Sequence, residues 1–316
     1  MRSNLLTLLG ISLSLSLQAC STSQVAATNP EQAKPSVIIE PEALAHSLAI
    51  SSSRSEQPPI LLDARKLEDY GPAHLAGAQR LDLRDWTSLS REGDGPNQGL
   101  NNAAAWSIRI GALGIDEHTP VIIYDEGGMT SAARAWFILR ECGVQNVRVV
   151  NGGWSNLCPL LEPSLVQAGN PGDFAPTRFA ATTPKHLTTR EELKQIATAH
   201  SQPVIDVRSA DEFTGNVKAQ EGHRVGHVPT ATNLSHKEML DERGRLRTPE
   251  ELRTLFASAG ASADQTAVLY CQSGGRAAFA ALAAAHAGVE NTTVYYMSMG
   301  EWLQDLSCPV ETPRQP

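Results

Sequence analysis

One pattern of short apolar runs and helical stretches occurs twice along this chain. Each copy opens on an apolar run that ends in Asp-x-Arg, at 60–65 and at 204–208, and each has a later apolar run, at 121–124 and at 267–270. Short apolar strands that alternate with amphipathic helices favour parallel sheets built from βα units. The repeat therefore predicts an α/β fold with two tandem, similar domains, each a mainly parallel sheet flanked by helices.

The remaining elements and the domain boundaries follow from the same comparison. Helical stretches are predicted at 106–114, 132–142, 249–260 and 277–287, and β-rich runs that end at tryptophan at 147–154 and 292–302. Five prolines and little periodicity between Cys158 and Lys185 indicate a linker. We predict a first domain at 37–160, a linker at 161–185 and a second domain at 186–316.

The N-terminus has the features of an export signal. Arg2 precedes an apolar stretch at 5–17 that serines interrupt, too short and too polar to span a bilayer as a stable helix. The sequence Leu-Gln-Ala-Cys that ends at Cys20 resembles the lipobox of bacterial lipoproteins. We predict a signal peptide at 1–19, lipidation of Cys20 and a flexible tether at 20–36. The predicted location is the cell envelope, with the outer membrane, facing the periplasm, favoured because Ser21 does not resemble an inner-membrane retention aspartate.

The loop after the second copy's run at 267–270 contains the strongest chemical signal. Its six residues are Cys271, Gln272, Ser273, Gly274, Gly275 and Arg276, and an alanine-rich helical stretch follows. Backbone N–H groups at a helix N-terminus hold anions, and the same position favours the thiolate form of a cysteine. The sequence therefore predicts a nucleophilic thiol at Cys271 in an anion-holding loop.

Charge and cysteine spacing limit the other function classes. The formal net charge of −8 argues against a nucleic-acid-binding protein, which normally carries a basic stripe. The chain has no C-x-x-C pair and no Cys/His cluster with zinc spacing, so we predict neither a metal nor another cofactor. The sequence does not decide whether Cys142, Cys158 and Cys308 form disulfides, and it does not give the oligomeric state.

Taken together, these motifs resemble the tandem-domain rhodaneses, which are sulfurtransferases. The resemblance covers roughly residues 37–312. It rests on the two Asp-x-Arg motifs, the His-x-x-x-Ala motifs that begin at His74 and His227, the six-residue cysteine loop and the ending at 306–311. In that family the second domain carries the reactive cysteine, and the first has usually lost it. Here Asp125 stands at the matching position, so the resemblance implies a catalytically silent first domain.

The resemblance also implies a reaction and its partners. Sulfane sulfur from thiosulfate or a related small anion would pass through a persulfide on Cys271 to cyanide or a thiol. Backbone N–H groups of residues 272–276 would cradle the leaving anion and the outer sulfur. For Arg276 two compatible roles are open: binding a donor oxyanion, or bracing the loop through its carbonyl groups.

For charged residues that resemble the family's motif near the loop, we favour a structural role over a role in substrate binding. Asp206 and Arg208 resemble the family's Asp-x-Arg motif, and we interpret them as a supporting ion pair or turn brace rather than as substrate contacts. Glu212 and Phe213 match a bacterial variant of the family, whereas better-known thiosulfate enzymes carry an extra arginine there. This departure weakens the expectation of high thiosulfate affinity.

Four alternatives stay open at this stage. The donor could be 3-mercaptopyruvate, since the loop residues between Cys271 and Arg276 are neutral. The chain could be a non-catalytic binding or sulfur-carrier module, or Cys271 could be a buried structural cysteine. A cysteine-dependent phosphatase is disfavoured, because its loop has five residues between cysteine and arginine where this one has four.

Overall fold

The computed structural model describes residues 36–50, 58–93, 95–170, 175–217 and 224–312. The predicted signal peptide, nearly all of the tether and Cys20 lie outside the described residues. The strands are β1 Ile38–Ile39, β2 Ile60–Asp63, β3 His74–Leu75, β4 Gln79–Arg80, β5 Val121–Tyr124, β6 Val147–Val150, β7 Val166–Gln167, β8 Val204–Asp206, β9 Thr232–Asn233, β10 Ala267–Tyr270 and β11 Thr292–Val294. The helices are α1 Pro41–Ile50, α2 Leu67–Tyr70, α3 Leu83–Ser90, α4 Ala103–Gly111, α5 Thr130–Glu141, α6 Gly153–Leu157, α7 Arg190–Ala199, α8 Ala210–Thr214, α9 Pro249–Ser258, α10 Gly275–Ala287 and α11 Ser298–Trp302.

Two parallel sheets confirm the α/β fold that the repeat predicts. The first half forms a sheet of order β1-β6-β5-β2-β4, and the second half forms one of order β11-β10-β8-β9. Each pairing within these two sheets is parallel. The central strands β5 and β10 are buried along their whole length, as their continuous apolar sequences indicate.

The closing segment of each half differs from its prediction. The β-rich runs end at Val150 and Val294, and both tryptophans instead lie on short helices, Trp154 on α6 and Trp302 on α11. In the first half, consecutive glycines with positive φ, Gly152 at 78° and Gly153 at 63°, turn the chain from strand into helix. The apolar periodicity around these tryptophans therefore belongs to a strand, a turn and a helix in succession.

The predicted linker packs along the first half. Within 161–185, β7 pairs antiparallel with β3, and Phe179 is buried. At its end, the backbone N–H groups of Lys185 and His186 both donate to the Glu141 carboxylate at the end of α5. These contacts give the segment fixed partners that its proline content does not reveal.

The two halves share one hydrophobic core. That core includes residues from both sheets, and α5 of the first half packs along α10 of the second. A smaller cluster covers the other face of the first sheet. The shared core brings the loop at the start of α10 against first-half residues. Among the described residues, no helix is long and apolar enough to cross a membrane.

Candidate active site

Cys271 follows directly after the central strand of the second sheet. Strand β10 ends at Tyr270, and α10 begins at Gly275, so residues 271–274 form a strand-to-helix loop at the carboxyl edge of the sheet. Ligands of open α/β sheets bind at this edge. Cys271 is 1% exposed, whereas Gln272 is half-buried and Ser273 is exposed. The loop thus places a buried thiol beneath an accessible rim.

A second loop holds Cys271 in place from the side. The backbone N–H of Cys271 donates to Ser298 Oγ at 3.1 Å, and the N–H groups of Met299 and Gly300 donate to the carbonyls of Cys271 and Gln272. Ser298 Oγ itself donates to the Tyr295 carbonyl and lies 3.8 Å from Cys271 Sγ. Ser298 is fully buried with a positive φ of 59°, a conformation rarely adopted outside glycine. These contacts hold the backbone of Cys271 and thereby fix the position of its sulfur.

Two glycines allow the cysteine loop to close. The N–H of Gly274 points at Cys271 Sγ, with nitrogen and sulfur 3.1 Å apart. Gly274 has φ of 91°, and a Cβ there would lie 2.6 Å from the Tyr296 carbonyl oxygen. At Gly275, a Cβ would lie 2.7 Å from the guanidinium of Arg134. A side chain at either position would displace a contact of the loop.

The first half has a loop at the matching position, one residue longer, with a carboxylate in place of the thiol. Asp125 follows β5 as Cys271 follows β10, and the N–H of Trp154 donates to its carbonyl as that of Met299 does to Cys271. The Asp125 carboxylate accepts backbone N–H groups from Gly127, Ser131 and Ala132. Burial raises the pKa of Asp125 to about 6, although these N–H groups act to lower it. This loop geometry therefore directs backbone donors at an anionic group.

Arg276 has a partner that its predicted roles do not include. Its two terminal nitrogens donate to the two carboxylate oxygens of Glu212, at 2.6 and 2.9 Å. Burial acts to raise the pKa of Glu212, but the hydrogen bonds and charge of Arg276 bring it down to about 2. The Glu212 pair raises the pKa of Arg276, and the nearby Cys271 acts in the same direction. The positive charge at the end of the loop is thus largely compensated.

Two first-half arginines brace the loop instead. Nη2 of Arg91 and Nη2 of Arg134 both donate to the carbonyl oxygen of Ser273, at 3.0 and 3.1 Å. Arg134 also donates to the Tyr296 hydroxyl at 3.2 Å, and its guanidinium lies 5.6 Å from the centre of that ring. Bracing of loop carbonyls, one of the two roles left open for Arg276, is carried out at Ser273 by Arg91 and Arg134.

Asp206 and Arg208 form the ion pair that the structural interpretation expects. Arg208 is 3% exposed, contacts both Asp206 oxygens at 2.6–3.0 Å, and donates to the Gly226 carbonyl. Asp63 and Arg65 repeat this arrangement in the first half, with the Ala73 carbonyl as the third partner. Because the first half keeps the same brace with Asp125 in place of the cysteine, the geometry of the brace does not depend on a cysteine in the loop.

The other described cysteines lie in different surroundings. Cys142, Cys158, Cys271 and Cys308 are all free thiols. Burial raises the pKa of Cys142 to about 12 and that of Cys308 to about 11, and a neighbouring carboxylate, Glu141 or Asp305, adds to each shift. Cys271 is equally buried, but its neighbours are an N–H donor and an arginine. The polar groups next to Cys271 therefore differ from the carboxylates next to Cys142 and Cys308.

A family model for the rhodanese-like domain matches this chain twice, at residues 49–158 and 189–305. The chain belongs to the rhodanese-like family. A 3-mercaptopyruvate sulfurtransferase of Escherichia coli (strain K12) is 31% identical over 253 residues, which cover 79% of this chain and 87% of that protein. A thiosulfate sulfurtransferase of Gallus gallus is 29% identical over 249 residues, covering 78% and 83%.

Solved structures show the same rhodanese-like fold. The crystal structure of SseA from Escherichia coli, described as a 3-mercaptopyruvate sulfotransferase, superposes with a TM-score of 0.67 at 26% identity and covers 84% of this chain and 99% of that one. The Tum1 protein from Saccharomyces cerevisiae has a TM-score of 0.73 at 17% identity, covering 89% and 99%. The two parallel sheets found here thus occur in chains with very different sequences.

Sequence reasoning missed several residues around this rhodanese-like loop. The missed residues are Arg91, Arg134, Ser298 and His236. Burial lowers the pKa of His236, and the charge of the Arg276 guanidinium lowers it further. Arg134 lies on α5, nine residues after Asp125, so its place in the helix that follows the matching loop gave a usable signal. Arg91 directly follows the end of α3 and has no local signal at all.

Proposed function

We propose that this rhodanese-like protein is a sulfurtransferase that moves a sulfane sulfur from a small anionic donor to cyanide or a thiol, with Cys271 as the nucleophile. The observation that carries the proposal is the Cys271 loop. The Cys271 thiol lies at the carboxyl edge of the sheet, with the Gly274 N–H directed at its sulfur 3.1 Å away. The sulfurtransferase relatives in the same family support this reaction class.

The first half-reaction needs no general base once Cys271 is ionised. Its thiolate attacks the outer sulfur of thiosulfate and forms a new S–S bond. The S–S bond of the donor breaks, and sulfite leaves with the bonding electron pair. The outer sulfur of the resulting persulfide carries the negative charge. Backbone N–H groups of residues 272–276 are suited to hold that charge, since the matching first-half loop directs such donors at the Asp125 carboxylate.

The second half-reaction restores the thiolate. Cyanide attacks the outer sulfur, the persulfide S–S bond breaks, and thiocyanate leaves while the electron pair returns to Cys271. Both half-reactions transfer sulfur without an external oxidant or reductant. Initial rates at varied thiosulfate and cyanide concentrations should therefore give the parallel double-reciprocal lines of a ping-pong reaction. Intersecting lines would show a ternary complex and would contradict the persulfide route.

The pairing of Arg276 favours a second donor. One role left open for Arg276 is to bind a donor oxyanion such as thiosulfate, but both of its terminal nitrogens contact Glu212. A dianion gains more from an uncompensated cation than a monoanion does. The donor 3-mercaptopyruvate carries one carboxylate; the thiolate would take its sulfur as the C–S bond breaks, and the enolate left behind would gain a proton to give pyruvate. We therefore propose 3-mercaptopyruvate beside thiosulfate as a donor to test.

Neutralising Glu212 tests this account of donor choice. Glu212→Gln should lower the KM for thiosulfate by about tenfold, because Arg276 would face the donor with its charge uncompensated. Glutamine can still accept at the N-terminus of α8, where Glu212 now completes a capping box with Ser209. Steady-state kinetics with both donors measure the effect.

Glu126→Gln provides the matched control, since Glu126 lies in the silent first-half loop and contacts Arg65. This control should leave both KM values unchanged. A thiosulfate KM that stays the same or rises in Glu212→Gln would show that Arg276 does not act on the donor.

We also propose that the protein is exported and lipid-anchored through Cys20 at the cell envelope, with the outer membrane, facing the periplasm, favoured. The apolar segment and the Leu-Gln-Ala-Cys sequence support this. Fractionation of cells that express the wild type and Cys20→Ser tests it. The wild type should sediment with membranes and the variant should not; equal distribution of the two would rule out the anchor.

A further inference from the structure

We propose that Arg91 and Arg134, both from the silent half, act on Cys271 by polarising the Ser273–Gly274 peptide, which makes them positioning residues for the nucleophile. This inference rests on the proposed function only in calling Cys271 the nucleophile. It gives the first half a role in sulfur chemistry that the loss of its own cysteine does not suggest.

One peptide group connects the sulfur of Cys271 to the two arginines. The N–H of Gly274 is directed at Cys271 Sγ, at 3.1 Å, and the carbonyl of Ser273 belongs to the same peptide. The C=O and N–H of a trans peptide point to opposite sides of the chain. Arg91 and Arg134 donate to that carbonyl at 3.0 and 3.1 Å. The sulfur and the two cations therefore lie at opposite ends of one dipole.

This arrangement strengthens the donor that faces the sulfur. Hydrogen bonds in series polarise one another, and those from charged donors are the stronger ones. Two guanidinium groups on the carbonyl make the Gly274 N–H a better donor to an anionic sulfur. Their charge also acts directly, because an opposite charge near an ionisable group favours its charged form.

Charge compensation separates these arginines from the other cation at the loop. Arg276 is paired with Glu212 through two short hydrogen bonds. Within the described part of the chain, Arg91 and Arg134 have no carboxylate partner, and the buried Nε of Arg91 has no hydrogen-bond partner. The uncompensated positive charge near Cys271 is thus supplied by the first half.

The same arginines could merely hold the two halves together, and Arg245 gives the control for that role. It bridges the halves by ion pairs with Glu42 at 2.7 Å and Glu40 at 3.6 Å and by a hydrogen bond to Asn156. It has no contact with the 271–276 loop among those described. A purely structural role predicts that Arg245→Gln and the loop variants affect Cys271 alike.

The test measures the alkylation rate of Cys271 by iodoacetamide against pH in the full-length protein, without any donor. Peptide-resolved mass spectrometry separates Cys271 from the other thiols. Glutamine keeps an N–H donor but removes the charge. The double variant Arg91→Gln/Arg134→Gln should move the midpoint of the profile to higher pH by about one unit, a roughly tenfold loss of thiolate below the midpoint. Arg134→Lys should largely keep the wild-type midpoint, and Arg245→Gln should leave it unchanged.

The midpoint of the alkylation profile decides whether Arg91 and Arg134 act on Cys271. An unchanged midpoint in the double variant, or an equal shift in Arg245→Gln, would overturn the proposal. If the double variant does not fold, Arg91→Gln alone decides, since Arg91 is a half-buried residue after the end of α3. Its midpoint must then rise. Because no sulfur is transferred in this assay, a chain that fails as a sulfurtransferase could still show the shift, so the two proposals fail separately.

Discussion

Cys271→Ser should lower kcat/KM for sulfur transfer by at least about a thousandfold, with either donor. A serine hydroxyl in the same loop is a far weaker nucleophile than a thiolate and forms no persulfide. The side chain is nearly isosteric and can still accept the Gly274 N–H, so the fold should persist. Thiocyanate formation from thiosulfate and cyanide measures the loss.

Asp125→Ala is the control for Cys271→Ser, because Asp125 occupies the matching position after β5 in the first half. It should change kcat/KM by less than about threefold. It should also lower stability by about 1–3 kcal/mol, because backbone N–H groups of the first-half loop lose their buried acceptor. If Cys271→Ser retains activity, or Asp125→Ala abolishes it, the assignment of one reactive and one silent half is wrong.

Arg208→Ala should lower the free energy of unfolding by about 3–5 kcal/mol, since it leaves the Asp206 carboxylate buried without its partner. Arg208 is 3% exposed and Asp206 is fully buried. Such a loss is a large part of the roughly 5–15 kcal/mol that stabilises an ordinary domain. Urea unfolding measures this loss, provided that the dependence of the free energy of unfolding on urea concentration is the same in the variant and the wild type.

Two variants separate the structural role of Arg208 from substrate contact. Arg65→Ala removes the equivalent brace in the first half and should cost a similar free energy. Arg245→Ala breaks a more exposed ion pair and should cost about 1 kcal/mol or less. If Arg208→Ala is no more damaging than Arg245→Ala and instead raises the donor KM, Arg208 contacts substrate.

Much of the fold was predictable because the two copies of the repeat show the same pattern of apolar residues. The predicted strands at 121–124 and 267–270 match β5 and β10 residue for residue. The helix at Pro249 begins as predicted, with Thr248 and Glu251 in a capping box. The closing segments were harder, since a short strand followed by a short helix leaves no single periodicity to detect.

The site was predictable only where its residues are adjacent in sequence. The loop from Cys271 to Arg276 is continuous, so its strand-to-helix position followed from the pattern. Glu212 and Arg276 are 64 residues apart, and Arg91 and Ser273 are 182 apart, so no local signal joins either pair. Charge at the loop therefore depends on tertiary contacts: Glu212 largely neutralises the one cation that the sequence shows there, and the first half supplies two others.

Intact-mass measurement of the protein after incubation with each donor tests the central claim most directly. The account predicts a gain of one sulfur atom with thiosulfate, with 3-mercaptopyruvate or with both, mapped by peptide analysis to Cys271 and reversed by cyanide. Cys271→Ser should gain none. Sulfur on Cys142, Cys158 or Cys308 in place of Cys271, or no gain from either donor in the folded wild type, would contradict it.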